Sequence, residues 1–162
     1  VTRGPTSLRA AVDDIAQRWP EIGHITPAQV APLSDNRKVL LFDVRQDAEY
    51  AVSHLPGAIL VKPGTSRAAF LDLYGNDVKG KRVVFYCSVG VRSSTLASKV
   101  ARDLKARGAV AVDDLSGGIF AWHGEGLPLV DAKGPTEFVH PFDGSWGGLV
   151  SRQDLVRTKP GS

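Results

Sequence analysis

KRVVFYCSVGVRSSTLASKVARDLKAR, residues 81–107, is the stretch whose reading decides the fold. Arg82 to Tyr86 is a short apolar run rich in β-branched and aromatic side chains, the pattern of a strand buried on both faces. From Ser94 to Arg107, Leu96, Ala97, Val100, Ala101 and Leu104 recur at helical spacing, with Lys99, Arg102, Lys105 and Arg107 mostly on the opposite side. Cys87, Ser88, Val89, Gly90, Val91 and Arg92 therefore span a strand-to-helix turn that opens on the one cysteine of the chain. The first amides of a helix lack intrahelical partners and carry the positive end of its dipole, so such a turn is an anion cradle. A thiol held there favours the nucleophilic thiolate. Gly90 permits backbone angles closed to other residues, Arg92 fixes the loop or binds an anion, and Ser93 or Ser94 is expected to cap the helix. The bland alternative for Cys87 is a buried structural thiol; strand, glycine, arginine and helix at these offsets favour the reactive one.

Working outward, Lys38 to Asp43 is a second strand, and VLLF is apolar enough to be central in a parallel sheet. Asp43 and Arg45 follow at its C-terminal end, where ligands of open α/β sheets gather, but an internal ion pair anchoring a loop is the preferred reading. Asp47 is expected to cap a helix over Ala48 to Ser53. His54, ahead of Leu55-Pro56-Gly57, is read as an imidazole holding loops by hydrogen bonds rather than as a general base. Ala58 to Val61 and Ile22 to Ile25 are further strands. Arg67 to Tyr74 is a helix with Phe70, Leu71 and Tyr74 inward, and Thr26-Pro27 opens another over Ala28 to Leu33. Gly108 follows the central helix as its C′ residue, and Ala109 to Leu115 is the last strand. Asp113 and Asp114 at its end are read as solvated loop charges. Gly117-Gly118 then starts a short helix through Trp122, with His123 at its surface.

Strands alternating with helices indicate a parallel sheet covered on both faces. Thr6 to Trp19, with Leu8, Ala11, Val12, Ile15 and Ala16 on one side, reads as an added helix within residues 1–21, ended by Pro20. Residues 129–162 are rich in Gly, Pro and Asp, with Phe138, Val139, Phe142, Trp146, Leu149 and Val150 interspersed. The expectation is a tail wrapped on the domain to about Val150 and less ordered beyond it, with a lid over the cysteine or a dimer contact as alternatives.

Three short motifs in order, Phe42-Asp-Val-Arg45 followed by Glu49-Tyr50 and His54-Leu-Pro-Gly-Ala58, then Cys87-Ser-Val-Gly-Val-Arg92, then Gly117-Gly-Ile-Phe-Ala-Trp122, resemble the signatures of rhodanese-domain sulfurtransferases across residues 22–128. The resemblance implies the rhodanese fold, a five-stranded parallel sheet between helices. It implies that the Cys87 thiolate takes the outer sulfur of a donor such as thiosulfate and passes it from a persulfide to cyanide, a thiol or a protein cysteine. Arg92 would orient the loop and steer anions, while the amides of Ser88, Val89, Gly90, Val91 and Ser93 hold the terminal sulfur. Asp43, Arg45 and His54 would support the site, with no metal or organic cofactor. Rhodaneses efficient with thiosulfate often carry cations just after the cysteine; Ser88 and Val89 are uncharged, so weak thiosulfate binding is expected.

The alternatives are a sulfur-carrier or interaction module acting on a protein partner and a related dual-specificity phosphatase or arsenate reductase. Such phosphatases have five residues between cysteine and arginine, against the four here, Ser88 to Val91. The net charge of +3 fits anionic small molecules or acidic partners and makes no case for nucleic acid. A lone cysteine excludes an internal disulfide, and no apolar run is long enough for a membrane. The expectation is a monomer or weak homodimer in the cytoplasm. A processed N-terminus, in a chain that starts without methionine, leaves the periplasm open.

Overall fold

A computed structural model describes residues 7–33 and 37–160. Thr6, the expected helix start, and the last two residues of the tail lie outside these. Five parallel strands form the sheet: β1 (Gly23–Ile25), β2 (Val39–Asp43), β3 (Ile59–Leu60), β4 (Arg82–Tyr86) and β5 (Ala111–Leu115), in spatial order β1-β5-β4-β2-β3. β4 is central, pairing with β2 from Val39↔Arg82 to Asp43↔Tyr86 and with β5 from Arg82↔Ala111 to Phe85↔Asp114. This is the rhodanese fold.

The helices are α1 (Leu8–Arg18), α2 (Pro27–Val30), α3 (Asp47–Val52), α4 (Arg67–Tyr74), α5 (Val91–Ala106) and α6 (Gly118–Gly124). Strand pleating deals the side chains of β4 to two cores. Val83 and Phe85 join Phe42, Phe70, Leu96, Val100 and Leu104 under α4 and α5. Val84 and Tyr86 join Ile15, Leu115, Ile119, Phe120 and Trp122 under α1 and α6. Residues expected to run as one helix to Leu33 form α2 and a 3₁₀ turn, Ala31–Leu33.

Long-range packing redraws several local expectations. α5 starts at Val91, not Ser94, and its N-cap is Gly90, so Ser93 and Ser94 lie within its first turn rather than capping it. The N-cap of α3 is Gln46, one residue before Asp47; Glu49 reaches back to the Gln46 amide at 3.1 Å. Asp113 and Asp114 are not solvated: both belong to β5 and both are buried. His123 is buried too, its Nε2 2.8 Å from the Glu137 carbonyl, because the tail covers that end of α6.

The tail has elements that its irregular sequence conceals. β6 (Leu129–Asp131) and β7 (Gly134–Thr136) form a hairpin, α7 (Gly144–Gly147) follows, and Gln153–Leu155 is a 3₁₀ turn. Val139 pairs with Val156, and Leu129, Val139 and Val150 are buried in the α1/α6 core. Among the described residues no helix is long and apolar enough to cross a membrane.

Candidate active site

Cys87 lies directly beyond the C-terminal end of β4 and is only 1% exposed. Gly90 makes the turn at φ +134°, a region poorly accessible to L side chains, and a Cβ there would stand 2.8 Å from Asp114 Oδ2. The turn brings the Gly90 amide to 3.2 Å from Cys87 Sγ, to which it donates. The Ser93 hydroxyl lies 3.4 Å from the same sulfur. From behind, α6 holds the loop: the amides of Ile119 and Phe120 donate to the carbonyls of Cys87 and Ser88 at 2.9 and 3.1 Å. Gly118 is required for that approach, since a Cβ would come within 2.5 Å of both carbonyl oxygens. With those carbonyls bonded from behind, the loop can turn amides toward the sulfur.

Arg92 folds back over the loop. Its Nη1 and Nη2 donate to the two Glu49 oxygens at 2.7 and 3.0 Å, and Nη2 also donates to Ser88 Oγ at 2.8 Å. Burial pushes the Glu49 carboxyl up, but the hydrogen bonds and charge of Arg92 outweigh this and hold it below the usual carboxylate range. The Arg92 charge is thus matched within the protein. Arg92→Lys keeps the charge but loses the two-pronged fork, and is expected to lower turnover about tenfold through loop disorder. Unchanged steady-state rates would make the fork dispensable.

The tail closes the site. Phe142, at φ +69°, places its ring 4.0 Å from the Arg92 guanidinium carbon. With Trp146 it completes a cavity of about 160 Å³ lined by Cys87, Ser88, Val89, Val91 and Arg92.

Asp43 and Arg45 form a buried pair beside this loop, with Nε–Oδ1 and Nη2–Oδ2 both 2.7 Å. Arg45 also donates to the Ser53 carbonyl, and the Tyr86 hydroxyl donates to Asp43. Burial opposes the Arg45 charge, yet Asp43 outweighs it and the pKa rises. His54 stacks on Tyr50 at 3.7 Å, approaches the Tyr50 carbonyl with Nδ1 at 3.1 Å, and pairs through its backbone with Val130. The loop residues Cys87 to Ser93 are therefore brought together, with Asp43 and Arg45 as an anchor and His54 as a brace between loops.

Four residues at the site went unassigned in the sequence. Glu49 stood, with Tyr50, only within the first of the three motifs and carried no role of its own. Asp114 looked like a loop charge. Phe142 and Trp146 were aromatic residues in a segment without periodicity.

The chain is 33% identical over 102 residues to a sulfurtransferase of Allochromatium vinosum, covering 63% of this chain and 88% of that one. It is 29% identical over 133 residues to the tRNA uridine(34) hydroxylase of Sodalis glossinidius, covering 77% of this chain and 36% of that one. The chain spans about half or less of the length of two of the curated relatives it matches. The polysulfide-sulfur transferase of Wolinella succinogenes superposes with a TM-score of 0.56 at 22% identity, covering 74% of this chain and 85% of that one. Residues 26–125, which carry every element from α2 to α6 and the whole cysteine loop, match the model of the rhodanese-like domain, and the chain belongs to that family.

Proposed function

We propose that this chain is a sulfurtransferase that works through a persulfide on Cys87. The observation that carries the reading is the surround of Sγ: the Gly90 amide and the Ser93 hydroxyl face the one cysteine at the bottom of a small cavity. The thiolate attacks the outer sulfur of a sulfane donor. A bond forms between Sγ and that sulfur, and the bond from that sulfur to the rest of the donor breaks, its electron pair leaving with sulfite when thiosulfate is the donor. The terminal sulfur carries the negative charge, and fixed donors stabilise it as an oxyanion hole stabilises oxygen. A nucleophilic acceptor (cyanide, a thiol or a protein cysteine) then takes that sulfur and the Cys87 thiolate returns.

Phosphate-ester chemistry is the weaker reading, because Arg92 is engaged by Glu49 and Ser88 rather than open to a tetrahedral dianion. The same engagement, with uncharged Ser88 and Val89 and the apolar rims of Phe142 and Trp146, supports poor use of thiosulfate. Intact-protein mass after incubation with thiosulfate and with an organic persulfide tests the proposal. The expected result is a gain of one sulfur, about 32 Da, removed by cyanide and faster from the organic donor. No gain from any donor overturns it.

A further inference from the structure

Phe142 is held in a way that core packing does not explain. Among the described residues it is the one non-glycine with a positive φ, +69°, yet it is 38% exposed. A side chain in a strained backbone region persists only where its surroundings over-determine it, and such residues gather at active sites and ligand clamps. The tail supplies those constraints. The Phe142 amide donates to His140 Nδ1 at 2.9 Å, and the Asp143 carboxylate caps α7 by accepting from the Trp146 amide at 2.7 Å. Gln153 Nε2 donates to the carbonyls of Gly147 and Val150 at 2.8 and 2.6 Å. Val150 is buried in the α1/α6 core, against which Trp146 also packs. A cap over Arg92 would account for the Phe142 ring, but not for Trp146 facing the same cavity.

The polar groups in the wall of that cavity are already engaged. Ser88 Oγ donates to Glu49 Oε2 at 3.3 Å and accepts from Arg92 Nη2, and the Phe142 ring covers the Arg92 guanidinium. Val89, Val91, Phe142 and Trp146 make the rest of the wall apolar. At the floor the Gly90 amide faces Sγ, so one negative charge is provided for, on the sulfur being transferred. The cavity holds about 160 Å³. That matches an apolar cavity of about 150 Å³ which stays dry and takes up benzene.

We propose that Phe142 and Trp146 determine specificity, making this a site for a sulfane donor whose leaving group is a small apolar body, an alkyl or aryl group up to the size of benzene. Both residues lie beyond the family-matched residues 26–125, so this selectivity belongs to the tail. The inference rests on the sulfurtransferase reading and names its substrate class. The donor meets the cavity at full volume, whereas the acceptor enters after a sulfur atom has taken part of it. With an aryl thiosulfonate, the Cys87 thiolate attacks the sulfane sulfur. The Sγ–S bond forms, the bond from that sulfur to the sulfonyl sulfur breaks, and its electron pair leaves with the aryl sulfinate. Two single negative charges enter the step and two leave it, as persulfide and sulfinate. The aryl group rests against Phe142 and Trp146, which exclude water from it.

Benzenethiosulfonate and methanethiosulfonate test this, because they share the charged head and differ in the group the tail would touch. Second-order rate constants for sulfur gain on Cys87 are taken as a benzene-to-methane ratio. Comparing that ratio between parent and variant cancels the intrinsic reactivity of each donor. In Phe142→Ala and Trp146→Ala the ratio is expected to fall at least about tenfold, while Phe142→Tyr, which keeps the ring, holds it within about twofold. A purely structural role lowers both rates together, so an unchanged ratio in Phe142→Ala overturns the proposal. Phe142→Ala alone decides if Trp146→Ala does not fold, since the Phe142 side chain is exposed. If neither donor delivers sulfur to the parent, the sulfurtransferase reading falls and occupancy decides the rim. Cys87 is then alkylated with iodoacetamide in the presence of benzenesulfonate or methanesulfonate, both inert to the reagent. Protection by benzenesulfonate at a concentration at least about tenfold lower, lost in Phe142→Ala, supports the apolar site. Equal protection by both, none by either, or protection undiminished in Phe142→Ala overturns it.

Discussion

Cys87→Ser is expected to gain no sulfur from any donor and to keep turnover below roughly a thousandth of the parent rate. Sγ is buried and faces the Gly90 amide at 3.2 Å, an arrangement a serine oxygen can also accept. The exchange removes almost no volume, so the loop should stay closed and stability should shift by less than about 1 kcal/mol. What disappears is the atom itself: a hydroxyl ionises far less readily than a thiol and cannot form a stable S–S bond to donor sulfur. The check pairs intact mass with a thermal melt. Sulfur gain in a folded variant would place the acceptor atom elsewhere and sink the mechanism.

Asp43→Ala should be the most destabilising substitution beside the site. Arg45 is fully buried and draws two of its hydrogen bonds from Asp43, while the Tyr86 hydroxyl draws its acceptor from the same carboxylate. Removing one member of such a pair strands a charge in the core and costs about 3–5 kcal/mol, a drop in melting temperature of about 10 °C for a domain of this size. Arg45→Met in the same chain should recover much of that, because the stranded charge goes with it. A single variant within about 1 kcal/mol of the parent would show that the pair contributes little. Activity should fall with the single variant as well, since Tyr86 immediately precedes Cys87 and is tied through its hydroxyl to Asp43 and the Leu55 amide.

The central elements were legible because each rests on local rules. The apolar β4 run, the helical spacing of Leu96 to Leu104 and the Phe70-Leu71 pair settle into the expected strand and helices, and α4 and β4 match to the residue. Gly108 takes φ +101° just past the end of α5, as a C′ glycine does. The helix start was harder. Ser93 and Ser94 are ordinary caps by propensity, but the tight turn at Gly90 starts α5 earlier and turns Ser93 toward Asp114. The tail was illegible for a related reason: its buried residues, Leu129, Val139 and Val150, are fixed by α6, by a bridge to His54 and by Val156, not by periodicity of their own.

By itself, then, the amino-acid order determined a parallel α/β sheet and set a lone cysteine at a strand-to-helix turn, because hydrophobic period, turn glycines and helix ends act over a few residues. Tertiary structure decided the rest of the site. Arg92 meets Glu49 across 43 positions, Ser93 meets Asp114 across 21, and Phe142 arrives from the tail to cap the guanidinium. Whether an acid is solvated or sealed, and whether an arginine faces substrate or a partner, depends on which distant surfaces pack around it; the dielectric and the hydrogen-bond partners of a side chain are properties of the assembled core.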